Sequence, residues 1–327
     1  MTTTAVLPVT HTVPRSDAVL PEVAAAYPIG RPVSCRLLHQ GFNDTYLVTA
    51  RGGRYVARIY RADWRSAADV AYELELLVHL AGRGVPVSTP LVDKQGRLQR
   101  EVATAEGTRQ LVLFTYARGS PLLWEEEEHC YRAGKLTAAI HNASDDFSSR
   151  HPRVPMDLRS LLDEPLAALL PFLAHRAADW NYLTGFAAQL RDRAQAAGAH
   201  LDWGVCHGNL NRANIHIAED GSLSVFDFDL CAPGWRLTDF AEMYWVASYA
   251  RKRNAWEAFL KGYREARPLG DREAAAVPLF QALRALYFLG LRATRVSQWG
   301  SACLSDKQLD WEFRFLRGWE AERGNGW

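Results

Sequence analysis

The sequence predicts an α+β protein of two lobes, a small β-rich N-terminal lobe and a large helical C-terminal one. Three observations carry that expectation. The chain has 327 residues, 48% of them hydrophobic, enough for two separate cores. Val33 to Ile59 holds β-rich runs punctuated at Gly41 and at Gly52-Gly53. Gln110 to Tyr116 is a strongly apolar strand broken by Ala117-Arg118-Gly119-Ser120-Pro121, and most of the remaining chain carries helical spacing. The expected division is a disordered tail over residues 1–17, a first lobe over 18–116 and a second over 117–327.

In chain order, Val19 to Tyr27 reads as a short helix ended by Pro28. The strands of Val33 to Ile59 come next. Ala67 to Arg83 is helical, with Val70, Leu74, Leu77, Val78 and Leu80 as its apolar stripe. Pro86 and Pro90 bracket a short extended segment. Beyond the break at 117–121, Glu125 to Glu128 opens a long helix ending near His141, its acids placed where the helix dipole favours them. Residues 157–200 hold two or three helices. Ser222 to Phe226 alternates and reads as a strand; Asp239 to Arg267, Glu273 to Trp299 and Asp306 to Arg323 are helical.

Composition narrows the function. A net charge of +1 gives no bulk electrostatic case for nucleic acid or an anionic membrane. No run of 18 apolar residues predicts a spanning helix, and the first residues lack a basic and apolar leader pattern. Five scattered cysteines without a CxxC pair suggest reduced core thiols in a cytoplasmic protein.

The chemistry concentrates in Val205 to Glu242. There an apolar run leads into His207-Gly208-Asn209, Asn214 lies just beyond, a β-rich segment ends in Asp227-Phe228-Asp229, and a Gly-containing turn leads to Asp239. This stretch resembles the catalytic core of the aminoglycoside phosphotransferase superfamily, whose members share the protein-kinase fold. The likeness runs from about residue 33 to about 320 and is nearest to the stress-response kinase and type II homoserine kinase branches. Ile59-Tyr60-Arg61, Val85-Pro86-Val87 and Leu283 to Tyr287 fit those branches as well.

The resemblance implies a two-lobed kinase-like fold with ATP and Mg²⁺ as cofactors and a small-molecule or Ser/Thr peptide acceptor. It implies Asn214 and Asp227 as metal ligands, with Asp229, of the same strand parity as Asp227, as a possible second carboxylate. Arg58 stands where kinases carry the phosphate-binding Lys, and Glu73 is its expected helix partner, with Glu75 the competitor. The turn at Asn43 is expected over the phosphates, and Phe114 to Ala117, including Tyr116, at the adenine edge. His207 and Asp239 are expected to support the catalytic loop. Asn209 and Asp227 form the expected catalytic pair.

One position departs from the pattern. Where the family carries its catalytic Asp, this chain has Asn209. A neutral amide cannot act as a base, although its carbonyl oxygen can still accept a hydrogen bond. The chain is therefore expected to be a phosphotransferase with altered proton handling, a nucleotide-binding pseudokinase or scaffold, or an inactivated Asp-to-Asn form. Arg284, Arg292 and Arg295 are 8 and 11 residues apart, offsets of about 80° and 20° around a helix. They are candidate contacts to an anionic acceptor, or partners of acids within the C-terminal lobe.

Overall fold

The computed structural model describes residues 7–198, 200–249 and 252–323. They form two compact units. The first holds residues up to 120 with 147–153 and 216–229; the second holds 121–146, 154–215 and 230 onward. The boundary expected after 116 falls at Ser120, and two later segments return to the first unit, which no pattern in the sequence marks.

The elements run α1 (Ser16–Ala26), β1 (Pro32–Gln40), β2 (Asn43–Ala50), β3 (Gly53–Tyr60), α2 (Ala67–Gly82), β4 (Arg100–Thr104), β5 (Gly107–Thr115) and β6 (Ser120–Pro121). Next come α3 (Glu127–Ala143), a π-helical turn at Arg159–Asp163, α4 (Glu164–Leu173), α5 (Ala177–Gly198), β7 (Trp203–Cys206), β8 (Ile215–Ile217), β9 (Leu223–Val225) and β10 (Ala232–Trp235). The chain ends in α6 (Ala241–Tyr249), α7 (Arg253–Ala266), α8 (Asp271–Ala275), α9 (Val277–Ala293), α10 (Val296–Trp299) and α11 (Asp306–Arg323).

The first unit is built on an antiparallel five-stranded sheet of order β1-β2-β3-β5-β4. Val19, Val23 and Ala26 of α1 pack with Tyr46, Val48, Ile59 and Leu113 in its core. Strand β4 is not apparent in the sequence, because an edge strand that buries little carries no clear alternation. A capping box between Ser66 and Asp69 starts α2. Val78, expected on the apolar stripe of α2, is 48% exposed, whereas Glu73 is buried.

Residues 1–6 of the expected tail lie outside the described residues and 7–10 are exposed, but Thr12 and Pro14 are tied to the sheet. Tyr46 Oη donates to the Pro14 carbonyl at 2.6 Å, and Arg109 Nη1 donates to the Thr12 carbonyl at 2.9 Å. The two return segments are tied equally firmly. Phe147 packs edge-on against Tyr72, with ring centroids 5.5 Å apart. The Val225 amide donates to Pro86 at 2.8 Å, and the Ser88 amide donates to Val225 at 2.9 Å.

The second unit is helical. Helices α3 and α7 approach closely, because a Cβ on Gly134 would lie 2.0 Å from the Phe259 carbonyl oxygen. Strands β7 and β10 pair antiparallel, which sets Cys206 opposite Ala232. Residues 271–293 meet the length and hydropathy of a membrane span, contrary to the expectation of none. In the structure that stretch is a core segment: Leu279, Phe280, Leu283, Leu286 and Leu289 are buried, and α9 packs on α4 and α6. Cys130, Cys206 and Cys231 are buried; Cys35 and Cys303 are partly exposed.

Candidate active site

In the first unit the chemistry centres on Arg58. Strand β3 sets Arg58 between Thr45 and Val112 on its neighbours. Its Nη1 lies 3.3 Å from Glu73 Oε1, and its Nη2 lies 2.9 Å from Asp227 Oδ1. Glu73 is therefore the helix partner. Glu75 instead faces Arg150 and His151, each at 3.5 Å. Burial pushes the Glu73 carboxyl up to about 7, against the pull of Arg58. Tyr60 Oη donates to Glu73 Oε2 at 2.9 Å and satisfies the second oxygen.

Asp227 lies after β9 with a φ of 67°, the one positive value for a non-glycine residue among those described. A left-handed backbone at a residue with a Cβ costs ~1–3 kcal/mol and persists only where its surroundings enforce it, most often at functional sites. The Asp227 side chain is 39% exposed, which leaves carboxylate oxygen available beyond the Arg58 contact.

Asp229 differs from the expectation of a second metal ligand. It is 5% exposed, and both of its oxygens have donors. Trp64 Nε1 donates to Oδ2 at 2.6 Å, Asn43 Nδ2 donates to Oδ2 at 3.0 Å, and Arg65 Nε donates to Oδ1 at 2.9 Å. Burial works to raise this carboxyl, but the Arg65 and Arg58 guanidiniums outweigh it and hold it below the ordinary carboxylate value. Asp229 is thus a clamp inside the first unit. Asn43 shares that fate: it is 6% exposed at the start of β2, with its amide turned to Asp229 and not to an open turn. Trp64 and Arg65 escaped the sequence reading because no periodic pattern covers the segment before α2.

Phe114 is buried in β5, with Arg58 over its ring at 5.4 Å from the centroid. Tyr116 lies just past the end of β5, and Arg54 stacks over its ring at 4.3 Å. A cavity of about 690 Å³ in the first unit is lined by Ala67, Leu74, Arg97 and Gln110, and its lining includes none of Arg58, Glu73 and Asp227. Cavity size alone would have pointed away from the chemistry.

The second unit holds the loop of residues 207–214. Asp239 is 2% exposed and accepts the His207 amide through Oδ2 and the Gly208 amide through Oδ1, both at 2.8 Å. His141 Nε2 lies 3.1 Å from Asp239 Oδ2, and His141 Nδ1 lies 2.9 Å from Tyr263 Oη. Burial tends to raise the Asp239 carboxyl, yet its hydrogen bonds with His141 and the His207 amide hold it below its ordinary value. Burial lowers His141, which favours a neutral ring. Gly208 has φ 82°, and a Cβ there would lie 2.4 Å from the Leu230 carbonyl oxygen, so this turn admits only glycine.

Asn214 is buried, and its Nδ2 donates to the Asn209 carbonyl at 3.0 Å. An amide oxygen is a hard donor of the kind Mg²⁺ takes. Asn209 is part-exposed, and its Oδ1 lies 3.1 Å from Arg284 Nη2.

The three candidate acceptor arginines do not form one face. Helix α9 ends at Ala293, so Arg295 lies beyond it; it is buried, and its Nη1 lies 3.5 Å from Gln298. Arg284 and Arg292 do share a cavity of about 180 Å³, walled by Trp245, Phe288, Trp311 and Phe315. There they meet acids: Arg284 lies 2.9 Å from Glu242 and Arg292 lies 2.7 Å from Glu312. Of the two alternatives, internal pairing is the one the contacts favour.

Residues 34–277 match the phosphotransferase enzyme family. A protein of Deinococcus radiodurans with no assigned function is 36% identical over 323 residues, 97% of this chain and 93% of that one. Homoserine kinase of Neisseria meningitidis serogroup B is 29% identical over 281 residues, 84% of this chain and 87% of its own. Among solved structures, a microcompartment-associated aminopropanol kinase superposes with a TM-score of 0.76 at 23% identity, covering 92% of this chain and 94% of that one. Amicoumacin kinase, solved with AMP-PNP and Ca²⁺, gives 0.72 at 21% identity, covering 94% and 93%. These likenesses show a kinase-like fold.

Proposed function

The chain belongs to the phosphotransferase enzyme family, and from that premise we propose that it transfers the γ-phosphoryl group of ATP to a hydroxyl of a small molecule with Mg²⁺. One observation carries the reading: Arg58 reaches both Glu73 and Asp227, so a fixed cation and a part-exposed carboxylate lie side by side. Phosphoryl transfer needs such an arrangement, since it depends on positioning and charge stabilisation more than on covalent chemistry.

Each residue has a task. Arg58 offers its guanidinium to phosphate oxygens, and Glu73 holds it in place. Asp227 in the first unit and Asn214 in the second each present an oxygen donor of the kind Mg²⁺ takes. The ion, when bound, neutralises charge on the phosphates. The backbone at Phe114 to Tyr116 takes the adenine. Asp239 and His207 keep the 207–209 turn rigid. The cavity bordered by Arg284 and Arg292 takes the acceptor, and its mixed charges suit a polar metabolite. The relatives named for homoserine and aminopropanol, with amicoumacin kinase, make hydroxylated amines and amino acids the first acceptors to try.

The second reading is a nucleotide-binding protein without turnover. It draws on Asn209, which supplies no base. Both readings are tested by measuring ATP consumption with Mg²⁺ against hydroxylated amines, amino acids, sugars and Ser/Thr peptides, alongside ATP affinity. Turnover with a small alcohol supports the transferase. Micromolar ATP binding with no turnover across the panel favours the binding protein, and absence of binding overturns both.

A further inference from the structure

The side chain at position 209 is held by its oxygen. Asn209 Oδ1 lies 3.1 Å from Arg284 Nη2 and 3.3 Å from Asn211 Nδ2. A guanidinium has only donors, so the atom it meets is the amide's oxygen and not its nitrogen. Asn211 is fixed the same way round, because its own Oδ1 accepts from the Ala213 amide at 2.8 Å. Arg284 is clamped in turn: Nη1 lies 2.9 Å from Glu242, and the guanidinium sits 4.4 Å from the Phe288 ring centroid. The backbone of residue 209 is also engaged. Its amide donates to His207 Nδ1 at 3.3 Å, and its carbonyl accepts from Asn214 at 3.0 Å. One polar atom remains. Nδ2 makes no hydrogen bond to the described residues, on a side chain that is part-exposed.

We propose that Arg284 is a positioning residue that makes Asn209 a hydrogen-bond donor, with its amide nitrogen facing the acceptor oxygen where a carboxylate would present a base. This rests on the phosphotransferase reading and deepens it at one position. The bonds balance. The acceptor oxygen forms a bond to the γ-phosphorus, and the bond from that phosphorus to the β–γ bridging oxygen breaks, releasing ADP. An alcohol oxygen has two lone pairs and one proton. One lone pair attacks phosphorus, and the other accepts from Asn209 Nδ2. The proton passes to a non-bridging oxygen of the transferred group and then to solvent. In a loose transition state the proton leaves late, so this route loses little. A carboxylate at position 209 would take Arg284 as an ion-pair partner, which lowers its pKa and weakens it as a base. Restoring an acid there is therefore not by itself a restoration of base catalysis.

The test has two arms. In the whole chain labelled with ¹⁵N-asparagine, the side-chain NH₂ signals of Asn209 are identified by their loss in Asn209→Asp. They should move in Arg284→Met and return toward their native position in Arg284→Lys. Signals that ignore both substitutions overturn the proposal, whatever the activity. In kinetics with the panel alcohol that turns over fastest, Arg284→Met should lower kcat by about tenfold, the worth of one good hydrogen bond, with KM for ATP unchanged. That loss should vanish in an Asn209→Leu background. An equal loss in both backgrounds also overturns the proposal, because Arg284 would then act other than through Asn209. Melting temperature and ATP affinity establish that each variant folds. A chain that turns over no acceptor fails the phosphotransferase reading, and the labelled-asparagine arm then decides this one alone.

Discussion

Arg58 lies within 3.3 Å of Glu73 and 2.9 Å of Asp227, and the neighbours differ in what their removal should do. Asp227→Ala takes away the proposed metal ligand and should cut turnover by ~10²-fold or more; retained turnover and unchanged Mg²⁺–ATP affinity would remove Asp227 from the site. Glu73→Gln should act through pH. The Glu73 carboxyl rises from 4.5 to about 7 on folding, so the folded chain binds its proton more tightly. The stability this contributes is full below pH 4.5 and lost as pH rises through about 7. Wild type should therefore lose up to ~3 kcal/mol relative to Glu73→Gln across that window, as read by urea unfolding at its two ends. A difference independent of pH would mean that Glu73 is not desolvated. The Arg58–Glu73 pair was legible through the resemblance, which places a cation on this strand and an acid on the following helix. Asp229 was misjudged because parity along a strand says which way a carboxylate points and nothing of the donors waiting there. Trp64, Arg65 and Asn43 come from distant parts of the chain.

At the scale of elements, the turn at residues 207–209 is shaped by a carboxylate from just before α6. Asp239 accepts two adjacent backbone amides and faces His141 of α3. Asp239→Ala leaves all three without their acceptor in a buried place. It should destabilise the chain by about 3 kcal/mol or more, measured by urea unfolding; a loss under ~1 kcal/mol, the net worth of a single hydrogen bond, would show that the brace is dispensable. His141 adds an acid response. Burial lowers its pKa from 6.5, so the unfolded chain takes up the proton first and stability falls as pH drops below 6.5. His141→Gln should flatten the decline from pH 6.5 downward relative to wild type; an unchanged slope would place the acid response elsewhere. Most strands and helices were visible in advance because each has one buried face, and burial imposes periodicity. Strand β4 was not visible, being a charged edge. The helical run expected from Asp239 onward is seen as α6 up to Tyr249 and α7 from Arg253, with Ala250 and Arg251 outside the described residues.

For the whole molecule, the fold class and the kinase-like likeness were legible because the motif from His207 to Asp239 is ordered and closely spaced. The membership of the two return segments was not, because contacts between residues distant in sequence leave no local trace. Residues 216–229 complete the first unit through the bonds of Val225 to Pro86 and Ser88, and they carry Asp227 and Asp229 into it. A fragment ending at Ser120 should therefore fail to fold cooperatively, judged by a broad thermal transition and poor amide dispersion; a sharp transition would show that the first unit stands without its returning segments. The discontinuity also bears on synthesis. At ~5–20 residues per second, a ribosome takes roughly 5–20 s to pass from residue 120 to residue 229. For that interval the nascent first unit exists without the stretch that pairs with Pro86 and Ser88, and the backbone left unpaired there is open to another emerging chain. Crowding on a polysome, more than the stability of the finished protein, would then set how much of it reaches the native state.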